Sequence, residues 1–223
     1  MIKLVAFDWN GTLLDDTRAQ WICFNKVLTH FKRPAISFAR FQQTYDVPFS
    51  RLWAANGGKV AEMPEQNRVY FKFHNKLALR VPLKPHVKRV LKTLDAMGVS
   101  YVVFSNHPQK LIITDIKRLG LQSQLKSVLG RPDGDDSHMN KRSKELRLLK
   151  YLRSRRIKRS EVLCIGDTIE EIEIAREAGF KCVAVSGGNC DTARLRNLNP
   201  DFLAANLLPI PKIIAKLNAT SKN

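Results

Sequence analysis

Short apolar runs and amphipathic stretches alternate along most of the chain, starting from an apolar run at the very beginning. The strand-like runs lie at residues 2–7, 99–104, 161–165 and 180–185, and a weaker run ends at residue 129. Near-continuous apolar strands that alternate with helical patterns are typical of a parallel sheet covered by helices on both faces. The pattern therefore predicts an α/β fold with a Rossmann-like parallel sheet core.

Three amphipathic helices between these runs are predicted from their spacing and their end signals. Apolar residues keep helical spacing from residue 87 to residue 97, and Gly98 stands where a C-terminal cap belongs. Pro108 opens a second helix that ends at Gly120, and a third helix ends at Gly179.

Residues 17–81 break this rhythm, because they contain no strand pattern and are rich in aromatic residues at helical spacing. We predict that this segment is a small α-helical insertion, with the core built from residues 1–16 and 82–223. Within the insertion, residues 45–59 are predicted to be loop-rich and to face the site.

Length and composition indicate a globular protein without a membrane anchor. The 223 residues suffice for one medium domain with an insertion. No apolar run approaches the roughly 20 residues that span a bilayer, and the first residues lack the features of a secretion signal. The four cysteines have no metal-ligand spacing, so reduced thiols in a cytoplasmic protein are expected. The sequence leaves the oligomeric state open.

A net charge of +18 and a pI near 10.1 favour anionic partners. The densest basic segment, residues 141–159, contains ten basic residues and one acidic residue. Two interpretations remain open for it: an exposed helix surface, or a nucleic-acid-binding patch. The first is favoured, since aromatic-bearing RNA-binding strands and zinc-finger spacings are absent.

Polar groups follow the ends of several predicted strands. Asp8 follows the first strand, Ser105 and Asn106 follow the second, and Asp167 follows a later one. The carboxyl ends of parallel strands meet at one edge of a sheet, so these groups are expected to converge. Carboxylates at such an edge need a cation, and oxygen ligands suit Mg²⁺. Lys144, near a predicted helix start, adds a positive charge for phosphoryl oxygens.

With these motifs, the chain resembles the haloacid dehalogenase superfamily of phosphohydrolases, closest in pattern to phosphoglycolate-phosphatase-like members. The resemblance covers nearly the whole length. The matching segments are Phe7-Asp8-Trp9-Asn10-Gly11-Thr12-Leu13, Phe104-Ser105-Asn106, Ser143-Lys144, Gly166-Asp167-Thr168-Ile169-Glu170-Glu171-Ile172 and Val81-Pro82-Leu83-Lys84-Pro85-His86-Val87. It implies a Mg²⁺-dependent phosphatase for a small phosphorylated metabolite, with residues 17–81 as its cap.

The resemblance also implies a role for each matching residue. Asp8 is the expected nucleophile, which forms an aspartyl-phosphate. Lys144 is expected to steady the nucleophile and the phosphate, and its spacing to Gly166 favours it over Lys141. The implied substrate-binding residues are Thr12, Ser105 and Asn106. The implied metal ligands are Asp8, the backbone carbonyl of Asn10, Asp167 and, through a bound water, Glu171.

Two residues depart from the family pattern. Glu171 stands where the family usually has Asp, and Glu170 before it is expected to be a solvated helix residue. Asn10 stands where the family has an Asp that protonates the leaving group and then activates water. An amide does neither, which costs about 10²–10⁴-fold in rate. Slow hydrolysis is expected to persist, especially for acyl phosphates.

Asn10 leaves two alternatives to a phosphatase open. One is phosphonoacetaldehyde-hydrolase-like or phosphotransfer chemistry, in which Lys59 of the cap forms a Schiff base. The other is a weakly active relative that binds nucleic acid through residues 141–159.

Overall fold

The structure, a computed structural model, describes residues 1–78, 80–135 and 137–220. Within them a single parallel sheet has the strand order β3-β2-β1-β4-β5-β6. Its strands are β1 (Leu4–Phe7), β2 (Ser100–Pro108), β3 (Val128–Arg131), β4 (Val162–Gly166), β5 (Lys181–Val185) and β6 (Phe202–Ala204). The predicted α/β fold with a parallel sheet is confirmed, and β6 was not predicted.

The α-helices either cover the sheet or pack together between β1 and β2. They are α1 (Thr17–His30), α2 (Phe38–Thr44), α3 (Phe49–Ala55), α4 (Met63–Ala78), α5 (Val87–Ala96), α6 (Gln109–Arg118), α7 (Lys144–Arg155), α8 (Ile169–Ala178), α9 (Thr192–Asn197) and α10 (Ile210–Thr220). The three helices predicted from their spacing correspond to α5, α6 and α8.

The sheet separates two apolar cores, because successive residues of a strand face opposite sides. In β1, Val5 and Phe7 belong to the core that α5, α6 and α10 cover. Leu4 and Ala6 belong to the core that α7, α8 and α9 cover. Both faces of β1 are therefore buried, which explains its uninterrupted apolar sequence.

Helices α1 to α4 enclose an apolar cluster of their own. Its buried members are Phe24, Val27, Leu28, Phe41, Tyr45, Val47, Leu52, Trp53, Met63, Val69 and Met139. The expectation of a loop at residues 45–59 is wrong in part, since α3 lies within it and buries Trp53. This helix has only 7 residues, too few to show a clear periodicity.

Two global expectations can be compared with the structure. Among the described helices, none combines the length and apolarity that a bilayer crossing requires. The four cysteines, Cys23, Cys164, Cys182 and Cys190, are all free and buried.

Candidate active site

Lys144 lies at the centre of a buried charge cluster at the carboxyl edge of the sheet. Its Nζ lies 3.0 Å from Asp8 Oδ1, 3.0 Å from Glu170 Oε2, and in contact with Glu171 Oε1. The four residues are at most 5% exposed. Lys141 is exposed, so Lys144 is the lysine that the fold places beside Asp8.

The cluster is electrostatically unbalanced. Burial raises the pKa of Asp8 well above its ordinary value, and the charges of Glu171 and Asp167 raise it further, although Lys144 opposes this. Burial also raises the pKa of Glu170. For Lys144, burial acts to lower the pKa, but the surrounding carboxylates outweigh it and raise the pKa well above the usual value. One protonated lysine thus faces several carboxyls, and a further cation would stabilise the site.

The two glutamates at the start of α8 are held differently from what the sequence suggested. The expectation that Glu170 is solvated is wrong: it is 2% exposed, and Asn106 Nδ2 donates to both its oxygens at 2.9 and 3.1 Å. Glu171 Oε2 accepts hydrogen bonds from the backbone N–H and the hydroxyl of Thr168, at 3.0 and 2.6 Å. Its other oxygen faces Lys144, so both oxygens of Glu171 have partners within the protein.

Asp167 follows β4 and is fully buried. Thr12 Oγ1 donates to its Oδ1 at 2.7 Å, and the backbone N–H of Asn189 donates to its Oδ2 at 2.6 Å. Burial, and then the charge of Glu171, raises the pKa of Asp167 to about 7. Thr12, predicted to bind substrate, is thus hydrogen-bonded to this carboxylate.

The oxygens near Asp8 and Asp167 suit a Mg²⁺ ion chemically. Across the described residues, no group of three or more His, Cys, Asp or Glu side chains is arranged to hold a metal. Mg²⁺, however, usually takes one or two carboxylates and keeps several waters. Asp8 and Asp167, with the Asn10 backbone carbonyl that lies 3.4 Å from Asn189 Nδ2, supply such a small set of hard oxygens.

Ser105 and Asn106 lie in a part of β2 where its register with β3 is irregular. Ser105 is 2% exposed, and its hydroxyl accepts a hydrogen bond from the backbone N–H of His107 at 3.2 Å. Behind this segment, Arg147 donates to the Ser105 carbonyl at 2.9 Å and Arg131 donates to the Asn106 carbonyl at 3.1 Å. These bonds fix the segment next to Asp8.

Asp16 is a site residue that the sequence reasoning missed. Asn10 Nδ2 donates to its Oδ2 at 2.5 Å, Gly11 N–H donates to its Oδ1 at 2.8 Å, and Gln20 Nε2 donates to its Oδ2 at 3.1 Å. Asp16 is 1% exposed, and burial raises its pKa to about 6. An Asp directly before a helix normally caps it, which conceals such a role in the sequence. A carboxyl group is therefore present next to position 10, but it belongs to Asp16, which does not line the cavity.

The loop after β5, residues 186–189, also reaches the site and was not predicted to do so. A Cβ on Gly188 would overlap the Asp167 carboxylate, so the loop packs directly on that side chain. Gly187 next to it has a φ of 79° and nothing within 4 Å of its Cβ direction. The Gly-Gly-Asn sequence directly after a strand was the available signal.

This pair of glycines offers a matched test of Asp167. Gly188→Ala is expected to displace the Asp167 carboxylate and lower kcat/KM by about 100-fold, the effect of a misplacement of about 1 Å. Gly187→Ala introduces only backbone strain, about 1–2 kcal/mol, and should keep most activity. Kinetics and thermal unfolding of both variants check this. Equal losses of activity would show that loop strain, and not contact with Asp167, is what matters.

A cavity of about 850 Å³, including its mouth, lies between this cluster and helices α1 to α4. Its charged side contains Asp8, Lys144, Glu170 and Glu171 together with Asn10, Ser105, Asn106 and Thr168. Its other side is mainly apolar and comes largely from α1 to α4.

The two alternatives to a phosphatase rest on Lys59 and on residues 141–159. Lys59 is exposed and does not line the cavity, so its position does not support a Schiff-base role. Within residues 141–159, Lys144 is buried and Arg142 pairs with Glu173 and Glu177. The exposed basic residues there are Lys141, Lys150, Arg153, Arg155, Arg156, Lys158 and Arg159.

Comparison with known proteins identifies a family and a set of relatives. A family model described as haloacid dehalogenase-like hydrolase matches residues 5–185. A phosphoglycolate phosphatase of Vibrio parahaemolyticus is 25% identical over 224 residues, which cover 96% of each chain. One of Chromobacterium violaceum is 26% identical over 202 residues, covering 87% of this chain and 89% of the relative.

Solved structures share the fold at lower identity. A haloacid dehalogenase-like family protein of Streptococcus pneumoniae has a TM-score of 0.82 at 19% identity, covering 96% of this chain and 98% of that chain. A predicted phosphatase of Clostridium acetobutylicum also has a TM-score of 0.82, at 17% identity, covering 97% of this chain and 99% of that chain. These likenesses concern the fold.

Proposed function

The chain belongs to the haloacid dehalogenase-like hydrolases, and we propose that it is a cytoplasmic, Mg²⁺-dependent phosphatase of a small phosphorylated metabolite. The relatives named phosphoglycolate phosphatase support the phosphatase activity. The observation that carries the proposal is the buried contact of 3.0 Å between Lys144 Nζ and Asp8 Oδ1, at the edge where Ser105 and Asp167 also lie. The free, buried cysteines support a reducing compartment.

In the proposed reaction, Asp8 is the nucleophile. Lys144 holds Oδ1, so Oδ2 attacks phosphorus while the bond from phosphorus to the alcohol oxygen breaks. The products of this step are an aspartyl-phosphate and the free alcohol, whose oxygen takes a proton from water. A second water then attacks phosphorus, the bond to Asp8 breaks, and inorganic phosphate leaves.

Two neighbours assist Asp8 in this scheme. Lys144 neutralises charge on the nucleophile and on a phosphoryl oxygen, and its raised pKa keeps it protonated throughout. Ser105, nearly buried beside it, donates its hydroxyl to another phosphoryl oxygen. Asn106 is held by Glu170 and orients the same segment.

We propose Asp8, Asp167 and the backbone carbonyl of Asn10 as the protein ligands of Mg²⁺. When bound, the ion supplies positive charge to the phosphoryl oxygens and offsets the repulsion among the buried carboxylates. Helices α1 to α4, residues 17–81, are the proposed cap that shields the reaction from water.

Asn10 limits the proposed reaction to slow turnover of esters with poor leaving groups. It carries no titratable proton to give to the alcohol, and its Nδ2 already donates to Asp16. Acyl phosphates need no such proton, because a carboxylate is a good leaving group. We therefore propose that acetyl phosphate is turned over faster than alkyl phosphates.

The direct test is phosphate release by the purified chain with Mg²⁺. We expect hydrolysis of acetyl phosphate and p-nitrophenyl phosphate, with removal of Mg²⁺ by EDTA lowering the rate by about 100-fold or more. Re-addition of Mg²⁺ should restore it. Absence of phosphate release at high enzyme concentration, with or without metal, would contradict the proposal.

A further inference from the structure

The cavity beside Asp8 has a second wall that no part of the proposed mechanism uses. Because the phosphate must reach Asp8, the rest of a substrate lies against this wall. It is apolar and mainly aromatic, and its members are Phe24, Phe41, Tyr45, Val47, Phe49, Leu52, Tyr70, Phe71 and Met139.

The positive charge of the cavity is already engaged. Among the described residues that line it, Lys144 is the only lysine or arginine, and it contacts Asp8, Glu170 and Glu171. A second anionic group on the substrate would therefore find no unpaired lysine or arginine among these lining residues. His107 lines the cavity too, but its ring packs against another histidine and a phenylalanine.

The aromatic side chains are arranged to receive a ring. Phe41 and Tyr45 lie with centroids 5.4 Å apart at 70°, and Tyr45 and Phe49 lie 6.0 Å apart at 86°. Phe41 and Tyr45 are buried in this packing, whereas Phe49, Tyr70 and Phe71 are half-buried and offer aromatic surface to a further ring.

Gln66 of α4 adds a specific polar requirement at this wall. It lines the cavity and is 7% exposed, yet its Oε1 accepts no hydrogen bond from the described residues. Buried amide oxygens in native proteins are nearly always hydrogen-bonded. A substrate with an N–H or O–H donor at this position would satisfy it.

From these features we propose that the natural substrate is the phosphate monoester of a neutral, ring-bearing alcohol with a hydrogen-bond donor, and not phosphoglycolate. The inference rests on the proposed phosphatase function. It separates this chain from what its relatives are named for, because glycolate brings a carboxylate to a wall whose described lining residues include no lysine or arginine.

Benzyl phosphate and phosphoglycolate form the first test. Both are esters of primary alcohols of similar acidity, so their difference reports the remote group and not the leaving group. We expect kcat/KM with Mg²⁺ to be about 100-fold higher for benzyl phosphate. Equal values, or a preference for phosphoglycolate, would overturn the inference and leave the phosphatase function standing. If benzyl phosphate, phosphoglycolate and acetyl phosphate all remain intact, the phosphatase function itself is contradicted.

Binding without turnover gives an independent readout. The phosphonate analogues are 2-phenylethylphosphonate and 3-phosphonopropionate, tested as competitive inhibitors of acetyl phosphate hydrolysis. The phenyl compound is expected to inhibit at about 100-fold lower concentration. Comparable inhibition by the carboxylate compound would contradict the inference that this wall offers no counter-charge to a substrate carboxylate.

A matched pair of variants tests the missing charge itself. Asn67 is half-buried on α4 and lines the cavity, so Asn67→Arg places a cation at the wall. The ratio of kcat/KM for phosphoglycolate to that for benzyl phosphate is expected to rise about 10-fold. Val60→Arg adds the same charge at a site that is 61% exposed and outside the cavity, and should leave the ratio unchanged. An unchanged ratio in folded Asn67→Arg, or an equal rise in both variants, would overturn the inference.

Discussion

Replacement of Asp8 by Asn is expected to lower kcat/KM for acetyl phosphate by about 10⁴-fold or more, as loss of a nucleophile does in other hydrolases. The amide that replaces the carboxylate cannot form the aspartyl-phosphate. Its shape is nearly the same, so Lys144 and Ser105 remain in place. Phosphate release with Mg²⁺ present measures the loss.

Asp15 provides the matched control for this variant. It lies seven residues further along, its side chain is 45% exposed, and it pairs with Lys84 at 2.8 Å. An exposed ion pair contributes little, about 0–1 kcal/mol. Asp15→Asn should therefore keep kcat/KM within about threefold. Similar losses in the two variants would contradict a specific role for Asp8.

The Asp8→Asn variant should also remain as stable as the wild type. Burial raises the pKa of the Asp8 carboxyl above its unfolded value, and the charges of Glu171 and Asp167 add to this. A carboxyl of this kind destabilises the fold as the pH rises from its unfolded pKa to its folded pKa, because the unfolded chain ionises more easily. At neutral pH without metal, the thermal midpoint should be unchanged or higher. A fall of about 3 °C or more, near 1 kcal/mol for a chain of this size, would indicate a structural role instead.

The strands and helices of the core were predictable to the extent that burial leaves a mark in the sequence. The runs at β1 and β4 are apolar because both faces of these strands are buried. Glycines at the helix ends mark backbone turns, such as Gly179 with a φ of 73°. β6 has only 3 residues, fewer than an alternating pattern needs to become visible. For α3, tertiary packing of Trp53 and not local periodicity determines the helix.

The candidate site was predictable where a residue follows a central strand. Asp8 and Asp167 directly follow β1 and β4, while Ser105 lies inside β2 where its register with β3 is irregular; β1, β2 and β4 are neighbours in the sheet. Residues that reach the site from other elements left no comparable signal. In the sequence, Glu170 resembles an ordinary acid in the first turn of a helix. Its burial follows from its ion pair with Lys144, which the sequence does not reveal.

Asp16 changes how the substitution at position 10 is to be tested. Asn10→Asp alone would place a second carboxylate where the amide now donates to Asp16 at 2.5 Å. Two buried carboxylates at that distance share a proton, and the pair is destabilising when both are charged. The single exchange is therefore expected to lower stability and to give only part of any catalytic gain.

The double exchange Asn10→Asp with Asp16→Asn keeps one carboxyl and one amide but transposes them, so the net charge and the short hydrogen bond are preserved. A carboxyl then faces the cavity and can protonate the leaving alcohol and activate water. Hydrolysis of benzyl phosphate is expected to rise about 10²–10⁴-fold, the usual contribution of general acid–base catalysis. Acetyl phosphate, whose leaving group needs no proton, should gain much less.

The two single variants complete the comparison, and the four proteins form a double-mutant cycle. Asp16→Asn leaves no carboxyl at either position, so it should give no gain with either substrate. If the double variant improved both substrates equally, the gain would come from altered binding and not from proton transfer to the leaving group. If it improved neither while remaining folded, some other group would already supply the acid–base function. The predicted outcome, a large gain for the poor leaving group alone, requires that Asn10 be the element that limits turnover and that Asp16 be too far from the leaving group to replace it.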